Sequence, residues 1–210
     1  MSVSPWPALA LFAFVASITP GPNNLLATAS AARFGFRRTL PQVAGVTFGF
    51  TILLLLAASG IAAIVVAHPG AGLLVAVAGL AYLAWLSMRL LSAAWRPQRT
   101  AASTAVLQPM GFCRAAAFQF ANPKACMMAV SAASSAMTGS DRTWVTVTSL
   151  CALFAAINFP CVGAWAALGA RLSTWLGDDA APWRMRAFDG SMGVTLLATT
   201  AWMACRTALA

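Results

Sequence analysis

The chain has 210 residues, of which 60% are hydrophobic and only 8% are charged. Soluble domains carry about 25% charged residues, so this composition excludes an ordinary water-soluble domain and indicates a protein surrounded mainly by lipid. The net charge of +9 does not indicate nucleic-acid binding, because the arginines are distributed between apolar stretches rather than gathered in one patch.

Six nearly uncharged stretches are long enough to cross a bilayer as helices. Apolar runs of this length do not fit the short alternating strands of an outer-membrane barrel, and a helix pairs its own backbone groups in lipid. The sequence therefore predicts an all-α polytopic membrane protein with six transmembrane helices. In chain order they are Trp6–Ala32, Thr39–Ala67, Gly70–Leu91, Arg114–Met137, Thr143–Leu168 and Ala187–Cys205.

The arginines predict the orientation of these helices. Most lie between helices 1 and 2, between 3 and 4, or between 5 and 6, whereas the opposite side has only Arg142 and Arg206. Cytoplasmic loops carry the excess of Lys and Arg, so we expect both termini outside the cytoplasm. No positive segment precedes the first apolar run, so we expect helix 1 to remain in the membrane rather than to be cleaved as a signal peptide.

A polar connection over residues 96–109 divides the single domain 1–210 into halves of about 1–95 and 110–210. Each half contains three predicted helices. Because three is odd, the two halves insert in opposite orientations, which is the arrangement of an inverted repeat. Inverted repeats are common in secondary transporters.

The first helix of each half is interrupted near its middle. Helix 1 contains TPGPNN at Thr19–Asn24, and helix 4 contains ANPKA at Ala121–Ala125. Proline lacks an N–H and clashes with the carbonyl four residues earlier, so we expect free carbonyls near Ala16 and Ile18. Interrupted segments in matching positions of two halves predict a substrate site; a proline kink that only shapes helix packing is the alternative.

The residues around these interruptions are the candidate substrate-binding residues. A glycine relaxes the steric limits on the backbone, and asparagine amides donate to freed carbonyls or to a ligand. Lys124 either supplies a cation for a substrate carboxylate or extends towards the cytoplasmic end of its helix. The set comprises Pro20, Gly21, Pro22, Asn23, Asn24, Gln119, Asn122, Pro123, Lys124 and Asn158.

Asp189 is the only acidic residue inside a predicted span. It is therefore the candidate for carrying a coupling proton. A structural ion pair with Arg184 or Arg186, or an acidic group at a helix N-terminus, explains it equally well.

Three stretches of the sequence resemble the lysine/threonine exporter superfamily of bacterial inner membranes. They are Ser17–Phe50, which begins SITPGPNN, Gly79–Leu90, and FQFANPKA at Phe118–Ala125. PGPNN together with FQFANPK is most similar to the homoserine/threonine branch, which includes cysteine and O-acetylserine exporters. The family's motifs correspond here to Pro20, Gly21, Pro22, Asn23, Asn122, Pro123 and Lys124.

The resemblance implies proton-driven efflux of small amino acids or their derivatives across the bacterial inner membrane. On this reading both termini are periplasmic, and the partners are a small-molecule substrate, protons and the bilayer. We expect alternating access around a site at the membrane midplane, with no catalytic residue, cofactor, metal or nucleic acid. Nothing in the sequence indicates an oligomeric state.

Other functions fit the residues less well. A membrane thiol–disulfide carrier needs thiols within reach of each other, but the five cysteines form no CxxC pair. A metal exporter needs clusters of His, Cys or carboxylates. A purely structural membrane protein does not need matched helix breaks, and a hydrolase needs a catalytic constellation that the predicted spans lack.

Overall fold

The computed structural model describes residues 4–60, 69–95, 110–136, 143–176 and 183–208. Over these ranges the chain is all-α, as predicted, with eight α-helices and one short 3-10 helix. The predicted linker 96–109 lies outside the described residues. The helices are α1 (Trp6–Ile18), α2 (Pro22–Phe34), α3 (Phe36–Ala58), α4 (Pro69–Trp95), α5 (Phe112–Phe118), the 3-10 helix (Gln119–Ala121), α6 (Pro123–Ala136), α7 (Trp144–Leu176) and α8 (Trp183–Ala208).

The described part of the chain contains three or four candidate membrane spans. The segments Phe36–Ala58, Val77–Trp95 and Trp144–Leu176 are each long and apolar enough, and α1 and α2 qualify together as one span with a 49° bend. Helices α5 and α6, of 7 and 14 residues, are each too short to cross alone. Helix α8 is 26 residues long, but its arginines, threonines and acidic residue make it less apolar.

The connection between α2 and α3 is a single residue. The sequence interpretation placed Arg33, Arg37 and Arg38 in a loop, but Arg33 lies in the last turn of α2 and the other two lie in the first turn of α3. Gly35 makes this possible because its φ of 81° lies in the left-handed region, which glycine enters without steric cost. The three basic residues therefore lie at helix ends rather than in a loop.

Glycines bring several helices into close backbone contact. A side chain at Gly45 or Gly49 of α3 would overlap backbone carbonyls of α5, and one at Gly79 of α4 would overlap the last carbonyl of the 3-10 helix. A side chain at Gly169 of α7 would overlap the Thr28 carbonyl of α2. Small residues at such crossings allow helices to approach in a membrane. Here they let the interrupted helices pack closely against the long ones.

Two apolar clusters surround the interrupted helices. One joins α1, α3, α6 and α7 around the stacked rings of Phe50 and Phe154, whose centroids are 5.8 Å apart. The other joins α2, α4 and α8 around Leu83 and Leu196. Because α1 and α6 share the first cluster, the two helix breaks lie close together in space.

Candidate functional site

The first helix break is an extended segment between α1 and α2. Gly21 has φ −170° and ψ 176°, an extended conformation that any residue adopts. The sequence interpretation that glycine is needed here for backbone freedom is therefore wrong. Instead, a Cβ at Gly21 would lie 3.0 Å from the Nζ atom of Lys124 and 3.1 Å from its Cδ atom. The missing side chain makes room for the lysine.

The carbonyls predicted to be free near the first break both accept hydrogen bonds from side chains. The hydroxyl of Thr19 donates to the Ala16 carbonyl at 3.1 Å. The indole Nε1 of Trp165, on α7, donates to the Ile18 carbonyl at 2.9 Å. These bonds lower the cost of leaving backbone oxygens unpaired inside a membrane.

Asn24 stabilises the same break from within α2. Its Nδ2 atom donates to the Ser17 carbonyl at 2.8 Å and to the Thr19 carbonyl at 2.9 Å. The residue is 3% exposed, and both hydrogen bonds fix the path of the backbone. Asn24 was predicted to contact substrate, but its amide nitrogen is already occupied by the chain itself.

The second helix break has a different local geometry. The 3-10 helix ends at Ala121, Asn122 is extended, and α6 begins at Pro123. A residue before proline avoids the helical region, which explains the conformation of Asn122. The Oδ1 atom of Asn122 accepts a hydrogen bond from the backbone N–H of Lys124 at 3.2 Å, so Asn122 caps the start of α6.

A reciprocal amide pair joins the two breaks. Asn23 Nδ2 donates to Gln119 Oε1 at 2.8 Å, and Gln119 Nε2 donates to Asn23 Oδ1 at 3.1 Å. Gln119 is fully buried and also donates to the Ala115 carbonyl at 2.9 Å. Two sequence-predicted residues from opposite halves of the chain therefore hold each other in place.

Lys124 makes a second connection between the breaks. Its Nζ atom donates to the Thr19 hydroxyl at 2.9 Å, to the Thr19 carbonyl at 3.0 Å and to the Pro20 carbonyl at 3.5 Å. The ammonium group therefore donates to two carbonyl oxygens of the first break, those of Thr19 and Pro20. The side chain lies in the wall of a cavity between the breaks, and its binding of a substrate carboxylate stays a prediction.

Asn158 connects three helices on the opposite side of the break. Its Nδ2 atom donates to the Ser17 hydroxyl on α1 at 3.2 Å, and its Oδ1 atom accepts from the Thr47 hydroxyl on α3 at 3.1 Å. Asn158 itself lies on α7 and is buried. Its amide therefore completes a polar network within an apolar cluster.

A small cavity lies where the two breaks meet α3 and α7. The space open to the centre of a water molecule is about 20 Å³, enough for about one water molecule and too little for an amino acid. The wall does not include Pro20, Gln119 or Pro123. Gln119 is hydrogen-bonded to Asn23, which does line the cavity. The predicted residues that line it are Gly21, Pro22, Asn23, Asn24, Asn122, Lys124 and Asn158.

Asp189 does not belong to this cavity. Its Oδ2 atom forms an ion pair with Nη2 of Arg33, which joins α8 to the C-terminal end of α2. The sequence suggested Arg184 or Arg186 as partner, but the actual partner lies 156 positions earlier in the chain. Asp189 is 2% exposed, whereas the side chain of Arg33 is 21% exposed, so only the carboxylate of the pair is buried.

Several residues of the site were missed by sequence reasoning. Ser17 and Thr19 flank the prolines, and their polarity next to a break is a signal that was available. Thr47 and Trp165 lie within regular helices, so nothing local in the sequence distinguishes them from packing residues. Their roles depend on which helices become neighbours.

The described residues contain no group of three or more His, Cys, Asp or Glu side chains placed to hold a metal ion. The five cysteines are free thiols. Cys126 lies beside the second break. Its Sγ atom is 3.8 Å from the carbonyl oxygen of Gln119 and 3.6 Å from that of Phe120. Its thiol is therefore accounted for by contacts with the backbone.

Comparison with known proteins identifies a family to which the sequence is similar. Residues 14–206 match the family described as LysE type translocator. The cysteine/O-acetylserine efflux protein of Escherichia coli strain K12 is 31% identical over 147 residues, which cover 70% of this chain and 73% of that protein. The protein of the same name from Shigella flexneri has the same identity and coverage. That of Escherichia coli O1:K1 is 33% identical over 149 residues. No solved structure matches the chain.

Proposed function

The chain belongs to the LysE-type translocator family, a family of multi-pass membrane transporters rather than enzymes, and from this premise we propose that it exports small neutral amino acids or their derivatives. Its relatives are named for the efflux of cysteine and O-acetylserine. Those two compounds are the first candidates for the substrate. The export path crosses the bacterial inner membrane, with both termini in the periplasm as the arginine distribution predicts.

The meeting of the two helix breaks is the observation that carries this proposal. Polar groups inside a membrane are costly and tend to be functional. Here Asn23, Gln119 and Lys124 bring donors and acceptors from two distant parts of the chain to one point. The cavity beside them has an apolar wall that includes Phe50 and Val162, which suits a small, uncharged side chain.

The contacts of Lys124 suggest how a zwitterion is held. Its ammonium group now occupies the Thr19 carbonyl, which is also the acceptor that a substrate ammonium needs. We expect the substrate ammonium to take that carbonyl and the displaced Nζ atom to bind the substrate carboxylate. Because the present cavity has room for only about one water molecule, the two breaks must separate before substrate enters.

The arrangement of the helices supports alternating access between two inverted repeats. Each half contains an interrupted helix followed by two longer ones: α1/α2, α3 and α4, then α5/α6, α7 and α8. The helix contacts follow the same correspondence between the halves. Helices α1 and α2 pack on α7 of the second half, and α5 and α6 pack on α3 of the first half. Helix α3 also packs on its counterpart α7, as α4 packs on its counterpart α8. Rocking of one half against the other would expose the breaks to each side in turn.

Coupling to the proton gradient is assigned to Asp189. Protonation of its carboxyl group would break the ion pair with Arg33 and release α8 from the end of α2. A proton-dependent contact between the two halves is what a proton-driven exporter requires. The ion pair also joins α8 to α2, and substitution of Asp189 distinguishes proton coupling from this structural role.

Export of labelled amino acids tests the proposed function directly. Bacteria lacking their own cysteine exporters would express this chain and be loaded with labelled cysteine, O-acetylserine, homoserine, threonine, lysine or glutamate. We expect faster efflux of the small neutral compounds than from cells with an empty vector. Equal efflux of every compound with and without the chain would refute the proposal.

A further inference from the structure

A second cavity lies beside the C-terminal half of α2, away from the helix breaks. Its space open to the centre of a water molecule is about 80 Å³, compared with about 20 Å³ at the breaks. That volume holds several water molecules or a small solute. Its wall includes Leu26, Arg33, Gln42, Leu86, Leu90 and Met110.

Gln42 is the first sign that this cavity receives a ligand. Its side chain lies in the wall and is 1% exposed, and its Oε1 atom is buried without a hydrogen-bond partner in the described part of the chain. Buried amides in native proteins are almost always hydrogen-bonded. An unpartnered one at the wall of a cavity indicates that a solute or water supplies the missing donor.

Arg33 is a second polar residue of the same wall. Its Nη2 atom is held by Asp189, while its Nε atom is buried and has no partner among the described residues. The carboxylate of Asp189 balances the charge of the guanidinium group. The wall therefore combines an N–H donor, an amide acceptor and no net charge from this pair.

We propose that this cavity is a second substrate site, which binds the same small neutral amino acid before it reaches the helix breaks. This inference rests on the proposed export function. The substrate carboxylate accepts from Arg33 Nε, the substrate ammonium donates to Gln42 Oε1, and the side chain lies against the leucines of α2 and α4. A substrate with a second charge finds no partner on that apolar wall, and burying an unpaired charge is costly.

The position of the cavity fits an early step in export. Asn24 lies in the first turn of α2 and Arg33 in its last turn, and their separation of nine positions corresponds to about 14 Å along the helix axis. Arg37 and Arg38 lie on the same side, at the start of α3, which the distribution of positive charge assigns to the cytoplasm. Substrate therefore passes along α2 from this cavity to the breaks.

Transport from each side of the membrane tests the second site. Inside-out vesicles present the cytoplasmic face to labelled O-acetylserine, and right-side-out vesicles present the opposite face. We expect Gln42→Leu to raise the KM about tenfold in inside-out vesicles, because a hydrogen bond to the charged ammonium is lost. The KM in right-side-out vesicles stays at the wild-type value.

Two further variants control for folding. Ser87→Ala removes a buried hydroxyl of α4 that donates within its own helix to the Leu83 carbonyl, and it should leave both KM values unchanged. Ala29→Leu fills the cavity without removing a polar group and should raise the KM on the cytoplasmic face alone. Unlabelled lysine and glutamate should not compete on that face.

The outcomes separate the two proposals. If the wild-type chain transports none of the labelled amino acids, the proposed function itself fails. If it transports O-acetylserine and both Gln42→Leu and Ala29→Leu keep the wild-type KM on the cytoplasmic face, export stands and the second site is refuted. An equal rise in KM on both faces also refutes the second site, because it indicates a general distortion.

Discussion

Lys124 and Thr19 are 105 positions apart in the chain, yet the lysine Nζ atom lies 2.9 Å from the threonine hydroxyl and 3.0 Å from its carbonyl oxygen. The contact joins the start of α6 to the end of α1 across the two helix breaks. It places a cation on an acceptor that a substrate ammonium would use. The first prediction follows from this competition.

Replacing Lys124 with alanine should lower export by about tenfold or more, because the substrate carboxylate loses a charged hydrogen-bond donor. Initial efflux rates of labelled O-acetylserine from cells with matched expression measure this loss. Lys124→Arg, which keeps the charge, should retain part of the activity. Arg37→Ala removes an exposed basic residue outside the cavity and serves as the matched control. Wild-type efflux by a folded Lys124→Ala protein would rule out the proposed role.

The amide pair of Asn23 and Gln119 should contribute to stability through mutual coupling. Removing one partner leaves the buried polar group of the other unsatisfied, at a cost of about 1–3 kcal/mol. Asn23→Leu and Gln119→Leu should therefore each destabilise the protein, and the double variant should be less destabilised than their sum. Thermal unfolding of the four purified proteins gives the coupling energy. Strictly additive effects would show that the pair is not coupled.

Gly169 and Gly163 of α7 offer a test of helix packing with an internal control. A Cβ at Gly169 would overlap the Thr28 carbonyl, whereas a Cβ at Gly163 would meet no atom of another helix within 4 Å in the described part of the chain. Gly169→Ala should therefore cost about 1–3 kcal/mol through overpacking. Gly163→Ala should be neutral or stabilising, because alanine favours a helix by about 1 kcal/mol over glycine. Equal thermal stability of the two variants would contradict this packing.

Asp189→Asn should make export independent of the proton gradient. The substitution keeps the size of the side chain but removes the charge that pairs with Arg33. Efflux measured with and without an imposed pH gradient would show the loss of stimulation, and Asp189→Glu should preserve it. If the gradient still accelerates Asp189→Asn to the wild-type extent, Asp189 has only a structural role.

The helix breaks could be predicted from the sequence because their causes are local. Proline removes a backbone donor wherever it occurs in a helix, so Pro20, Pro22 and Pro123 indicate the interruptions. Proline alone is not sufficient, because α3 and α7 continue through Pro41 and Pro160. The broad all-α class followed just as directly from the length of the apolar runs. Long-range partners carry no such local mark, because they depend on which helices become neighbours.

Arg33 and Gly21 illustrate that limit. Arg33 looked like a loop residue because a one-residue turn at Gly35 is not distinguishable from a longer loop by charge alone, and its pairing with Asp189 depends on how α8 packs. Gly21 looked like a conformational glycine, but its requirement comes from the side chain of Lys124. A residue's local role follows from its own chemistry, whereas its contacts follow from the assembled fold.

Lys124 is the only lysine in the chain, and it stands at the point where the two breaks meet. Selective incorporation of isotopically labelled lysine would therefore give a single side-chain ammonium resonance in magnetic resonance spectra, without any substitution. That resonance would report whether the Nζ atom is bound to the Thr19 carbonyl or to a solute. The protein thus contains its own spectroscopic reporter at the centre of the proposed path.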